Sequence, residues 1–177
     1  MSRQKVRGEK LSHLEHKQQA PQKVNCALLV ISDTRTEKTD ESGPLLQQKL
    51  TQNGHQVMSY ALLKNDAAAI KAKLDELLGN AGVQVIITSG GTGASRRDVT
   101  VETVAPLLEK KLDGFGELFR ALSYNEIGTA SIMSRALAGV SRGKVIICLP
   151  GSLAATGLAL DKIILPEIAH LVREASR

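Results

Sequence analysis

Four short apolar runs limit what this chain can fold into more than any other feature. They are VNCALLVIS (24–32), HQVMSYALL (55–63), VQVIITS (83–89) and GKVIICLP (143–150). Runs of this length, rich in Val, Ile and Leu, suit strands buried on both faces. The segments between them have helical periodicity. In DESGPLLQQKLTQNG (40–54), Leu45, Leu46 and Leu50 line one side, and Asn53-Gly54 supplies a stop. In NDAAAIKAKLDELLGNAG (65–82), Ile70, Leu74, Leu77 and Leu78 recur at helical spacing, Asn65 or Asp66 is placed to cap, and Gly79-Asn80 closes. A further helix is expected after Asp98, bent or broken near Pro106, and another over about residues 114–127. The segment RALAGV (135–140) reads as a strand joined to GKVIICLP by a turn at Ser141-Arg142-Gly143, and the C-terminal stretch as helix with a break at Pro166. Strands alternating with helices predict an α/β fold: a three-layer α/β/α domain built on a doubly wound, mostly parallel sheet.

Composition narrows the function. Aromatic residues make up only 2% of the 177 residues, with no Trp, so the core must be aliphatic. The same scarcity argues against an RNA-recognition sheet or a single-strand stacking groove, both of which need exposed rings. The net charge of +5 invites a nucleic-acid reading, but its distribution opposes one. Residues 1–23 hold six basic and two acidic groups, leaving the rest nearly neutral. Residues 1–22 read as a basic, largely disordered tail, and 23–177 as the domain. No stretch has the length of a membrane span and no signal peptide is visible, so a cytoplasmic protein that engages neither membrane nor nucleic acid is expected. Cys26 and Cys148 sit inside apolar runs and read as buried, reduced thiols. His55 and His170 have no neighbouring acid or nucleophile in sequence and read as structural.

In open parallel sheets, ligands bind beyond the carboxyl ends of the strands. Ser32 and Asp33 follow the first strand, and Lys64, Asn65 and Asp66 the second. Ser89, Gly90, Gly91, Thr92 and Gly93 follow the third, with Arg96, Arg97 and Asp98 behind them; Pro150, Gly151 and Ser152 follow the last. Three glycines within SGGTG allow successive N–H groups to point into one concavity, a nest for phosphate. The segment is neither a Walker loop nor GxGxxG. Asp66 and Asp98 each allow two readings: a helix N-cap, or a carboxylate aimed at a ligand. Together they can hold Mg²⁺, which wants oxygen ligands beside substrate phosphates. Arg96 and Arg97 offer forked hydrogen bonds to phosphate.

Taken together, ISDTR (31–35), D-x-x-G (40–43), TSGGTG (88–93), RRDVTVET (96–103), DGFGE (113–117), SRALAGV (134–140) and LPGS (149–152) resemble the molybdopterin-binding family of molybdenum-cofactor biosynthesis, and its MoaB branch more than its MogA branch. The resemblance covers about residues 24–177. It implies the same α/β/α fold, a homotrimer or homohexamer, and binding of molybdopterin, a phosphorylated pterin dithiolene. It further implies adenylyl transfer: ATP and molybdopterin give adenylyl-molybdopterin and pyrophosphate. The catalytic carboxylates of the family fall on Asp66 and Asp98, and the pterin and phosphate contacts on Ser32-Asp33, the SGGTG loop and Pro150-Gly151-Ser152. Some MoaB-type members keep the fold without the transfer activity, so a non-catalytic molybdopterin-binding protein is the alternative. A chain lacking residues 1–22 is expected to bind molybdopterin as the full chain does; loss of affinity in a titration of the truncated protein would assign the tail a binding role.

Overall fold

The computed structural model of the protein describes residues 20–177. Nearly all of the expected tail therefore lies outside the described residues. Six strands form one sheet in the order β2-β1-β3-β6-β5-β4. They are β1 (Asn25–Ile31), β2 (Gln56–Leu63), β3 (Val85–Ser89), β4 (Lys110–Lys111), β5 (Leu137–Ser141) and β6 (Lys144–Leu149). The four apolar runs of the sequence form the parallel part: β1 pairs with β2 and β3, and β3 pairs with β6. β5 and β4 continue the sheet antiparallel. The helices are α1 (Ser42–Gln52), α2 (Ala67–Gly79), α3 (Thr100–Val104), α4 (Asp113–Ile127), α5 (Leu153–Ala159) and α6 (Leu165–Ala175).

Alternation along the strands separates two hydrophobic layers. Cys26 and Leu28 of β1, with Val145, Ile147 and Leu149 of β6, face Leu46 and Leu50 of α1, Phe119 of α4, and Ile164 and Ile168 at the C-terminus. Ala27, Leu29 and Ile31, with Ile146 and Cys148, face Ile70, Leu74, Leu77 and Leu78 of α2 and Val104 of α3. The β1–α1–β2 crossover runs one way along the sheet and the β2–α2–β3 crossover runs back past β1 the other way, so α1 and α2 cover opposite faces. The crevice of an open sheet falls where the strand order reverses, at the carboxyl ends of β1 and β3.

The expected turn between β5 and β6 is present as a two-residue hairpin. Arg142 and Gly143 both take positive φ (50° and 72°), the conformation whose twist matches flanking strands. One expectation fails. The backbone does not break at Pro166; it stays helical from Leu153 to Ala175 through a π-helical turn at Leu160–Ile164. Pro166 lies in the first turn of α6, just after that turn. A proline lacks the N–H that an α-helix would use and crowds the carbonyl four residues back, and the wider turn before it absorbs both problems. β4, two residues long, carries no periodicity that a sequence reading can detect.

His55 ties the start of β1 to the loop before β2, its Nδ1 accepting from the amide of Val24 at 3.3 Å. Partial burial holds its pKa below the ordinary 6.5. The unfolded chain then takes up the proton more readily, so this contribution is complete above about pH 6.5 and is lost as pH falls through the lower folded value. Urea unfolding at about pH 7.5 and about pH 5 should show stability falling with acid, and His55→Gln should remove part of that fall.

Candidate functional site

At the carboxyl ends of β1, β3 and β6 lies a cleft of about 580 Å³. Ser32, Asp33, Ser89, Gly90, Gly91, Thr92, Gly93, Arg97, Asp98, Pro150 and Gly151 all wall it, as the strand-end reading anticipates. Asp66 and Ser152 stand outside its wall.

The floor is backbone. Gly90 and Gly91 have φ of 103° and 64°. A Cβ at Gly90 would overlap the carbonyl oxygen of Ile31, and one at Gly91 would overlap the Thr100 hydroxyl and Asn65 Oδ1. A Cβ at Gly151 would lie 3.1 Å from the Cα of Gly90. The loop is tied at each end: the Gly90 amide donates to Leu149, the Thr100 hydroxyl donates to the Gly90 carbonyl at 2.9 Å, and Arg135 Nε donates to the Thr92 carbonyl at 2.9 Å. No acceptor among the described residues takes the amide protons of Gly91, Thr92 or Gly93. Consecutive amides so presented make a concavity with positive potential, the requirement for holding phosphate oxygens.

The carboxylates are local staples. Asp98 lies against Gly93, where a Cβ would sit 2.6 Å from its Oδ2, and the same oxygen accepts from the amide and hydroxyl of Ser95 at 3.2 and 2.6 Å. It therefore closes the 95–98 turn and does not cap α3, whose N-cap is Val99. Asp66 caps α2, accepting from the Ala69 amide at 2.7 Å. Ser152 caps α5 in the same way through Ala155. Asp33 links two strand-end loops, accepting from the Asn65 amide at 3.0 Å. That amide, assisted by the Asn65 side chain, Lys64 and Arg97, holds its carboxyl below the usual range despite partial desolvation. Ser89 is buried, with its hydroxyl 3.4 Å from that of Thr156. Ser32 folds its own loop by accepting from the amides of Thr34 and Arg35.

Several wall residues escape a sequence reading. Arg35 lies within the ISDTR motif, yet nothing in the sequence marks it as facing the cleft. Met133 and Ser134 arrive from the 3₁₀ segment Gly128–Met133 and the link to β5, far along the chain. Asn65, by contrast, is placed after β2 by the sequence and does line the cleft; its buried Oδ1 has no hydrogen-bond partner among the described residues. Arg135, outside the wall, forks onto Glu102 at 2.6 and 3.0 Å while gripping the glycine loop. Cys26 and Cys148 are buried as expected, and burial pushes both thiols up to about 12, so neither is a nucleophile.

A doubly wound sheet with a glycine-floored cleft at its switch point defines a class: α/β proteins whose ligand site lies at the strand ends. Residues 27–170 match the family model described as a probable molybdopterin binding domain. Over 168 residues the chain is 47% identical to molybdenum cofactor biosynthesis protein B of Bacillus cereus, covering 94% of this chain and 99% of that one. A crystal structure of a molybdenum cofactor biosynthesis protein B superposes with a TM-score of 0.85 at 47% identity, covering 89% of this chain and 98% of the other. The tungsten cofactor synthesizing protein MoaB of Pyrococcus furiosus superposes at 0.82 with 36% identity, over 89% and 100% of the two chains. The chain belongs to the MoaB family of molybdenum cofactor biosynthesis proteins.

The floor makes a sharp demand on Gly90. Gly90→Ala is expected to destabilise by about 1–3 kcal/mol from backbone conformation alone, with the Ile31 overlap added. Gly157→Ala, within α5 and facing open space, should instead be neutral or stabilise by up to about 1 kcal/mol. Urea unfolding of the two variants checks the contrast.

Proposed function

We propose that the protein binds molybdopterin in this cleft and transfers the adenylyl group of ATP to it, releasing pyrophosphate. The reading rests above all on the three unclaimed amides of Gly91, Thr92 and Gly93, gathered with Arg97 and Asp98 around one cleft. An oxygen of the molybdopterin phosphate attacks the α-phosphorus of ATP, the bond from that phosphorus to the bridging oxygen breaks, and pyrophosphate carries away the electron pair. The step needs no protein nucleophile. It needs charge neutralisation and alignment of two phosphorylated reactants, which amides and arginines held in fixed positions provide.

Mg²⁺ suits the oxygens on hand. Asp98 commits Oδ2 to Ser95 and Asp66 commits Oδ1 to Ala69, leaving each a second oxygen. Asn65 Oδ1 is a further acceptor without a donor. Among the described residues no three His, Cys, Asp or Glu side chains converge, so an ion would complete its shell with phosphate oxygens and water. When bound, Mg²⁺ would screen the phosphates and polarise the α-phosphorus. Asp66 and Asp98 are its proposed protein ligands.

We assign the protein to a homotrimer or homohexamer. Leu118, Ile127, Ile132 and Met133 support this, since all four are more than 45% exposed and Ile132 reaches 77%, more apolar surface on one segment than water favours. No helix among the described residues is long and apolar enough to cross a membrane. We place the reaction in the cytoplasm, which suits two reduced thiols and the use of ATP.

A second reading, molybdopterin binding without turnover, draws support from the position of Asp66 outside the cleft wall. Pyrophosphate release from ATP, molybdopterin and Mg²⁺ separates the two. Transfer predicts release that falls by at least about a hundredfold in Asp66→Ala and Asp98→Ala while the proteins stay folded. No release from the unaltered protein, with molybdopterin still bound, would establish the binding role.

A further inference from the structure

Arg35 sits in the cleft wall, its side chain 27% exposed, and its guanidinium reaches into the protein in three directions. Nη1 donates to Asp40 Oδ1 at 3.3 Å and to the Ser42 hydroxyl at 2.6 Å. Nη2 donates to the Gly151 carbonyl at 3.3 Å, which also accepts from the Ser42 hydroxyl. The Arg35 amide meanwhile donates to Ser32 Oγ. One side chain thus joins the loop after β1, the first turn of α1 and the turn after β6.

The charge that anchors Arg35 is itself fixed. The Asp40 side chain has no exposure to solvent. Its two oxygens accept from the amides of Ser42 and Gly43, each at 3.0 Å, and from the Tyr60 hydroxyl at 2.8 Å. Burial, then the bond to Asp40, pushes the Tyr60 phenol up, so it stays a donor. A Cβ at Gly43 would overlap both the Tyr60 ring and Asp40. A carboxylate held by three donors besides the arginine cannot swing to follow it. On the other side, the Gly151 turn presses on Gly90, the floor of the anion cradle.

We propose that Arg35 is a positioning residue: held by Asp40, it draws the Pro150-Gly151 turn onto Gly90 and thereby fixes the spacing between the two halves of the anion cradle. The assignment rests on the ligand reading given above, but its first test does not need the ligand. Lysine keeps the charge beside Asp40 but lacks the planar fork that serves Ser42 and Gly151 together. In Arg35→Lys, hydrogen exchange at the amides of Gly90, Ala155 and Thr156, which donate to the Leu149 carbonyl, Ser152 Oγ and the Ser152 carbonyl, should accelerate about tenfold while β1 and β3 keep their protection, as expected for the loss of one or two charge-assisted hydrogen bonds. Molybdopterin affinity should weaken by a similar factor, showing as a raised KM with a smaller change in kcat. Arg35→Ala should behave more severely, and millimolar guanidinium, but not equal sodium chloride, should restore part of the affinity.

Unchanged exchange at Gly90, Ala155 and Thr156 would overturn the proposal. So would weakened affinity with unchanged exchange, because Arg35 would then contact the ligand directly. Uniform loss of protection across β1, β3 and β6 in Arg35→Lys would reduce the residue to a general structural role and equally overturn it. If the unaltered protein fails to bind molybdopterin, the ligand reading fails by itself and the exchange result still decides the role of Arg35.

Discussion

At Gly90 the chain passes so close to the carbonyl oxygen of Ile31 that no side chain fits between them, and at Gly151 it packs tightly on Gly90 itself, where a Cβ would lie 3.1 Å from the Gly90 Cα. This convergence of three strand-end backbones is the constraint on which the cleft depends. Parallel neighbours β1, β3 and β6 deliver their carboxyl ends to one level, and any Cβ at the junction would wedge the loops apart. Glycine resolves the crowding at a cost in chain entropy, and its positive φ turns the following amides outward. Fold and binding surface are therefore one requirement: close packing of the strand ends exposes the N–H groups.

What holds those loops afterwards is a set of carboxylates used as backbone clamps. Asp33 reaches across to Asn65, Asp98 folds the 95–98 turn, Asp66 starts α2, and Asp40 secures the first turn of α1. Asp33 joins two strand-end loops and the others hold turns near the rim, so these bonds are in place before a ligand arrives. Preorganisation of this kind matters because a cradle that had to reorder around two phosphorylated molecules would lose the binding energy spent on ordering. Three of the four carboxylates keep an oxygen with at most a long contact to a protein donor, so a clamp and a ligand are compatible roles for one residue. The two readings open for Asp66 and Asp98 from sequence need not exclude each other.

The sequence made the sheet legible because the runs of β1, β2, β3 and β6 are short and mostly apolar, and it made the cleft legible because parallel topology sends their polar successors to one edge. It could not reveal where the wall closes. Met133 and Ser134 come from the end of a 3₁₀ segment without periodicity and the link after it, and Arg35 lies inside ISDTR with no signal of its direction. It also misjudged Pro166, since proline is read as a break and the compensating π-turn leaves no residue signature. Asp66 and Ser152 show a subtler limit. Both follow strands as the rule requires, yet each caps the helix that follows, accepting from an amide three residues on, and neither lines the cleft. Strand-end position locates a residue at the rim; the hydrogen bond that its side chain makes first decides where it points.

The charges around the cleft also bear on how the proposed reactants are held. The guanidinium of Arg35 is matched by Asp40, and that of Arg135 by Glu102. Arg97 is exposed, and among the described residues no acidic partner meets it at ion-pair distance. Most of the chain's excess positive charge lies in residues 1–23, not at the strand ends. Molybdopterin phosphate and an ATP triphosphate together bring several negative charges into a space of about 580 Å³. Paired arginines fix geometry but cancel much of their own field at the ligand. The balance falls to amide dipoles, which are strong only where water is excluded, and to a cation that enters with the nucleotide. An unloaded cleft close to neutral is thus the arrangement expected of a site whose positive charge arrives with the substrate, and it gives the unused oxygens of Asp66, Asp98 and Asn65 a common purpose.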